Sequence, residues 1–284
     1  MSVRLSVNDV DAWNSEILVI DKEAVASAID AELAIEARWR SFVAGRSLSR
    51  AERSVLMLRR LVRRLRLLPH FRRSLGPNDR GFRMVRRLAN IEMSHLHLMR
   101  EAAISEAAWV LILEDDAWSS DASAFASELQ AFVESCGEQQ VPTMVSLSES
   151  FTPVELGIQH LLTPATPATP ATPATTAYPW RLWASSLPVT NTVCATLYRA
   201  SFLRSLVEVL DSIPLSPVIP IDFKLNEALM RLAPNLRPGD CWIACPAPLT
   251  QRSGVPDVRR PWFQAPKKVE TENGAMEPRG PAHG

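Results

Sequence analysis

The chain has 284 residues, 46% hydrophobic and 22% charged, a composition typical of a soluble globular protein with a substantial core. Its 31 basic residues balance its 31 acidic residues, so the overall charge does not favour nucleic acid as a partner. The four cysteines are widely placed, which favours reduced thiols in a cytoplasmic protein. Because no window of about 20 consecutive apolar residues and no signal-peptide pattern occur, we expect that the protein neither spans a membrane nor is exported by that route.

The first segment predicts two short strands and an alanine-rich helix, and the next segment, 38–87, is arginine-rich and helical. It contains sixteen arginines and only Glu52 and Asp79, which gives it a net charge of +14. The stretch SRAERSVLMLRRLVRRLRLLPHF places apolar side chains at helical spacing among arginines, which predicts a basic amphipathic helix that ends at Pro69; a membrane contact would run through its residues 53–68. This helix lies on an anionic membrane, faces the diphosphate of a nucleotide, or presents a solvated basic face. We favour the membrane, and we expect no nucleic acid as a partner because few aromatic residues flank the helix.

A second helix, FRMVRRLANIEMSHLHLMREAAISEA, carries His95 on its apolar stripe. It leads into AAWVLILEDDA, which predicts a buried strand ending on Glu114, Asp115 and Asp116. A helix in DASAFASELQAFVES and a strand in VPTMVSLS follow. The alternation of strands and helices predicts an α/β protein with a mostly parallel, Rossmann-type sheet flanked by helices.

The later sequence contains a low-complexity run, a further strand and two further helices. Residues 163–179 repeat Thr-Pro-Ala, which predicts an extended surface loop that is either a tolerated expansion or a functional device. A strand around 193–198 and a helix come next, and Asp222 stands at or just before the start of another helix. Residues 264–284 predict a disordered tail, so 1–263 are expected to form a single domain.

The three consecutive acids must be hydrated or neutralised, because carboxylates that are packed together raise one another's pKa. On an extended strand Glu114 and Asp116 share one side and Asp115 faces the other. Mg²⁺ or Mn²⁺ bound by one or two of them would keep coordination positions open for a diphosphate at the carboxyl edge of the sheet. The alternative is that one aspartate caps the following helix and the others are solvated.

Three blocks of this sequence resemble glycosyltransferase family 25, the lipopolysaccharide-type glycosyltransferases. The first is SHLHLMREAAISEAAWVLILEDDA, the second is NTVCATLYRASFLRSL, and the third is PIDFKLNEAL with the later PAPLTQRSG. They span roughly residues 88–258 in the order of the family. The early segment VNDVDAW resembles the part of the family that follows its opening strand, so we expect this chain to begin one element late.

The resemblance implies a GT-A-like fold and an inverting hexosyltransferase. Such an enzyme moves a sugar, often galactose, from a nucleotide-sugar donor to a glycan or glycolipid acceptor with the assistance of Mn²⁺ or Mg²⁺. The glycolipid acceptor fits a peripheral location on the cytoplasmic face of the membrane. The implied site comprises the catalytic Asp222 and His95, the donor-binding Ser94, Glu114, Asp115 and Asp116, the metal ligands Asp116 and Glu114, and the acceptor or phosphate contacts Asn191, Thr192, Gln251 and Ser253.

Several alternatives remain open at this point. His95 is either a hydrogen-bonded core histidine or part of the family's Ser-His pair, and Gln251 binds either a ligand or its own loop backbone. The whole chain is either a transferase, a metal-dependent phosphoryl-transfer enzyme, or a catalytically degenerate transferase fold that acts as a membrane-associated binding protein. In the transferase, Asp222 would take the proton of the acceptor hydroxyl.

Overall fold

The computed structural model describes residues 22–68, 80–114, 117–136, 142–148, 153–154, 156–165, 180–189, 193–213 and 219–251. The strands predicted near the N-terminus and the predicted tail lie outside these residues. The helices are α1 (Lys22–Ala44), α2 (Arg50–Leu67), α3 (Arg80–Ala103), α4 (Ala122–Cys136), α5 (Ala200–Asp211) and α6 (Ile221–Leu232). The strands are β1 (Trp109–Leu113), β2 (Ala117–Trp118), β3 (Met144–Ser146), β4 (Leu162–Pro164), β5 (Leu182–Ser185), β6 (Ala195–Arg199), β7 (Cys241–Ala244) and β8 (Thr250–Gln251).

The connection between α1 and α2 is defined by local sequence signals. Gly45, at a φ of 61°, follows the last residue of α1, and its N–H donates to the Phe42 carbonyl at 3.2 Å. A glycine adopts this left-handed conformation without steric cost and so ends the helix. Ser49 and Glu52 then form a reciprocal capping box that begins α2. The predicted amphipathic helix is therefore present, from Arg50 to Leu67.

Six of the strands form one sheet in the order β1-β6-β3-β7-β5-β4. The prediction of an α/β protein is confirmed, but the sheet is mostly antiparallel rather than mostly parallel. Among the described residues, β3 and β7 are the one parallel pair of its five pairings. The reason is that β6 runs in the opposite direction between β1 and β3. An alternating order of strands and helices does not specify which strands become neighbours.

Helices cover both faces of the sheet. One core cluster joins α3, α5 and α6 to one face, and a second joins α4 to the other. The side chains of β1 alternate between these clusters: Val110 and Ile112 pack on the α3 side, and Trp109 and Leu111 pack on the α4 side. The sheet face on which an acidic side chain at the end of β1 lies therefore decides which helices that side chain can contact.

The Thr-Pro-Ala run begins inside the sheet and not in a loop. Thr163 and Pro164 belong to β4, which is the last strand of the sheet order and, among the residues that the structure describes, pairs only with β5. Proline is tolerated in an edge strand because one side of such a strand has no partner strand. A missing N–H on that side therefore removes no hydrogen bond of the sheet. Residues 166–179 lie outside the described part of the chain, so the loop predicted for them stays a prediction.

Candidate active site

Glu114 lies at the end of β1, on the sheet face that α3, α5 and α6 cover. The alternation along the strand places it on the same side as Val110 and Ile112. Its backbone N–H donates to the Cys194 carbonyl at 2.8 Å, which extends the β1–β6 ladder by one residue. Its own carbonyl accepts the N–H of Ala117 at 3.1 Å. The predicted strand is therefore observed, with Glu114 directly after its last residue. It is not the buried strand that was predicted: β1 is the first strand of the sheet order, and Ile112 is the one buried residue among its five.

His95 connects α3 to this acidic end. The residue is buried, and its Nε2 lies 3.0 Å from Oε1 of Glu114. A carboxylate only accepts hydrogen bonds, so His95 Nε2–H is the donor. His95 is a buried, hydrogen-bonded residue, as the interpretation as a core histidine predicts. Its hydrogen-bond partner is the first acid of the motif. The contact joins two residues that are separated by 19 positions in the sequence.

Asp222 lies in the first turn of α6, as predicted, and it is half-buried. Burial raises the pKa of the Asp222 carboxyl, and the negative charge of Glu114 raises it further. The backbone N–H groups of Asp222 and Phe223 and the nearby His95 act in the opposite direction, and the net direction is upward. Electrostatic effects of this kind decline with distance, so Asp222, Glu114 and His95 belong to one cluster.

A buried ion pair beside this cluster was missed by sequence reasoning. Lys224 Nζ on α6 donates to Oε1 of Glu92 on α3, and only 2% of either side chain is exposed. Burial raises the pKa of Glu92 and lowers the pKa of Lys224, and the attraction within the pair opposes both shifts. A signal was available: Glu92 precedes His95 by three residues, so both lie on one helix face. Lys224 is also the single lysine between residues 23 and 266.

Gln251 lies near the acidic motif through backbone pairing. β8 pairs antiparallel with β2, and Gln251 is directly opposite Ala117, the residue that follows Asp116 in sequence. Ser94 is half-buried and adjacent to His95 in α3. The roles assigned to both residues remain predictions. The other predicted site residues, Asp115, Asp116, Asn191, Thr192 and Ser253, lie outside the described part of the chain.

The helix that follows the acidic motif has its own cap. Asp121 Oδ1 accepts the N–H of Ser123 at 3.0 Å and that of Ala124 at 2.9 Å at the start of α4. The hydrogen bond from the Ala124 N–H is the largest of the effects that lower the pKa of Asp121, and the hydrogen bonds from Ser123 lower it further. The role of helix cap, which was the alternative for one aspartate of the motif, is therefore filled by Asp121.

The acids present in the cluster suit a hard divalent cation. Within the described residues, no group of three or more His, Cys, Asp or Glu side chains is arranged to hold a metal. The predicted ligand Asp116 lies outside those residues. Glu114 and Asp222 supply carboxylate oxygens, the ligands that Mg²⁺ and Mn²⁺ prefer. Because the charge of Glu114 raises the pKa of Asp222, a cation beside them would relieve a repulsion that is present. The donor chemistry therefore fits the predicted ion.

A groove of about 800 Å³ lies between α1 and α2, away from this cluster. Its lining includes neither His95, Glu114 nor Asp222. Apolar side chains of α1, α2, α6 and the α1–α2 connection line the groove, among them Leu33, Phe42, Leu48, Leu56, Met57 and Met230. The groove is therefore distinct from the pocket that the sequence predicts at the carboxyl edge of the sheet.

Comparison of the chain with protein-family models, with curated proteins and with solved structures found no match. The fold and the cluster define a mixed α/β protein with a mostly antiparallel sheet, in which a buried histidine and two acids cluster near the end of β1 and a buried ion pair joins α3 to α6. The resemblance to glycosyltransferase family 25 rests on the three sequence blocks, so the function has to be argued from the site.

Proposed function

We propose that this protein is a glycosyltransferase that moves a sugar from a nucleotide-sugar donor to a glycan or glycolipid acceptor with inversion at the anomeric carbon. The finer features implied by the sequence blocks belong to the same proposal. They are a GT-A-like architecture, galactose as the sugar, and a place on the cytoplasmic face of a membrane.

The observation that carries the proposal is the convergence of three residues from separate elements. Glu114 at the end of β1 accepts a hydrogen bond from His95 of α3, and both act electrostatically on Asp222 of α6. The sequence blocks had assigned a role in donor binding or catalysis to each of these residues. Polar groups that converge at a strand end, with one perturbed pKa among them, are characteristic of functional sites.

In the proposed reaction, the acceptor hydroxyl oxygen attacks the anomeric carbon of the donor sugar. A new C–O bond forms, the bond from that carbon to the diphosphate oxygen breaks, and the bonding electrons leave with the nucleoside diphosphate. The hydroxyl proton passes to the carboxylate of Asp222. Its raised pKa brings this base closer to working pH, which favours proton transfer in the transition state.

His95 has a positioning role in this scheme. Its hydrogen bond to Oε1 orients the Glu114 carboxylate. Because the His95 ring is buried, its N–H keeps a fixed orientation, whereas a water molecule in the same place would reorient. Bound Mg²⁺ or Mn²⁺, held by Glu114 and by the predicted ligand Asp116, would supply positive charge to the departing diphosphate. The protein's own part is to orient these acids and to accept the acceptor proton.

Donor binding tests the proposal directly. Purified protein is titrated calorimetrically with uridine, guanosine, thymidine and cytidine nucleotide sugars, each with and without Mn²⁺. We expect saturable, metal-dependent binding of at least one donor. We expect Glu114→Gln to lower that affinity by about tenfold or more, because the neutral amide removes a charged ligand. Glu208→Gln, an exposed acid on α5, is the matched control and is expected to bind like the original protein.

Three results would count against the transferase. A folded protein that binds none of these donors would favour the degenerate binding protein. Binding of free nucleoside triphosphate with release of inorganic phosphate, and no binding of sugar conjugates, would favour phosphoryl transfer. Equal donor affinity in Glu114→Gln would remove the acidic motif from the site.

A further inference from the structure

The apolar stripe of α2 faces away from the rest of the described protein. Between 50% and 65% of the surface of Val55, Leu58, Leu61 and Leu65 is exposed. These residues recur at three- or four-residue intervals and therefore form one continuous row along the helix. Soluble monomers rarely expose such a row of large aliphatic side chains unless it contacts something.

The opposite face of α2 is occupied by α1. Leu56 is buried there, and arginines of α2 pair with acids of α1. Arg60 and Arg64 both contact Asp30, at 2.6 and 2.7 Å. The remaining pairs are Arg59 with Glu36 and Arg63 with Glu32. Arginine pairing thus fixes the helix with its charged side inward and its apolar side outward, which reverses the orientation usual for a surface helix.

Positive charge remains around the exposed stripe. α2 contains seven arginines and one glutamate, a net charge of +6, and α1 with four acids and three bases lowers the total only to +5. Arg66 lies one residue beyond Leu65 along the helix and is exposed. An apolar row bordered by arginines combines the two features by which a helix binds at a lipid–water interface.

We propose that the outer face of α2 docks on an anionic lipid bilayer. Leu58, Leu61 and Leu65 enter the boundary between headgroups and acyl chains, and exposed arginines contact anionic headgroups. A second copy of the chain is the less suitable occupant, because it would bring together two α1–α2 pairs that each carry a net charge of +5. Among the described residues no helix is long and apolar enough to cross a bilayer, so this contact is one of surface docking. The inference does not depend on the proposed transferase activity.

Vesicle co-sedimentation tests the docking. We expect the protein to bind phosphatidylcholine vesicles that contain about 30% phosphatidylglycerol, to bind pure phosphatidylcholine at least about tenfold more weakly, and to lose binding as salt is raised to about 0.5 M. The triple variant Leu58→Gln, Leu61→Gln, Leu65→Gln is expected to lower the partition constant by about tenfold or more. Its melting temperature should not fall, because these side chains are exposed in the free protein.

The matched control replaces exposed apolar residues elsewhere. Ile104→Gln with Val154→Gln changes two side chains that are as exposed as the stripe, and its vesicle binding is expected to equal that of the original protein. Equal loss in this control, equal binding to neutral vesicles, or binding to no vesicle would overturn the proposal. So would a concentration-dependent dimer in solution that the triple variant abolishes, since the occupant would then be a second copy.

Discussion

Replacing Lys224 by methionine is expected to lower the free energy of unfolding by about 3–5 kcal/mol at neutral pH. The change leaves Glu92 without its partner in a place where only 2% of its side chain is exposed. Methionine keeps the length of the side chain and the helix propensity of α6, so the loss of the charge pair dominates. Urea unfolding followed by circular dichroism measures the effect.

The destabilisation should depend on pH, with a defined sign. Burial already raises the pKa of Glu92 in the folded protein, and loss of Lys224 removes the attraction that opposes this shift. A group whose folded pKa is raised contributes stability below its unfolded pKa, about 4.3 for a glutamate, and loses it as the pH rises through the folded pKa. Lys224→Met should therefore be less destabilised at pH 5 than at pH 8.

Two variants make this result specific to the pair. Adding Glu92→Leu to Lys224→Met should restore much of the stability and remove the pH dependence, because an apolar pair needs no solvation. Arg100→Met breaks the exposed pair with Asp211 and should cost less than about 1 kcal/mol. An unfolding free energy of Lys224→Met that equals the original at pH 8 would contradict the buried pair.

Asp222→Asn is expected to slow sugar transfer by about 10²–10⁴-fold, the usual contribution of a general base. The amide oxygen can still accept the backbone N–H groups of Asp222 and Phe223, so the start of α6 should stay intact. The change therefore removes the base while it preserves the fold. The transfer rate is measured as release of nucleoside diphosphate with the donor that the binding experiment identifies.

The pH profile distinguishes a base from a structural residue. Asp222 accepts a proton only when it is ionised, so kcat/KM should fall as the pH is lowered through its raised pKa. This acidic limb should be absent in Asp222→Asn. Asp211→Asn, an exposed acid at the end of α5, should keep both the rate and the limb. An unchanged limb in Asp222→Asn would assign the base to another residue.

Much of the local structure followed from local chemistry. The apolar run before Glu114 predicted β1, and the spacing of leucines among arginines predicted α2. Asp222 was placed at or just before the start of a helix, and it lies in the first turn of α6. Each of these signals acts over one strand or one helical turn. They suffice because side-chain periodicity and capping are decided by neighbours in sequence.

The sequence by itself therefore determined several of the elements, among them α2 and β1, and the position of Glu114 at a strand end. Only the tertiary structure decided that β6 lies between β1 and β3, since an alternating pattern is the same for either strand direction. The periodicity of α2 likewise shows which side chains share a face but not which face is covered; the acids of α1 decide that. The pair of Glu92 and Lys224, 132 residues apart, also required the fold, because burial and partnership at that distance depend on how helices pack.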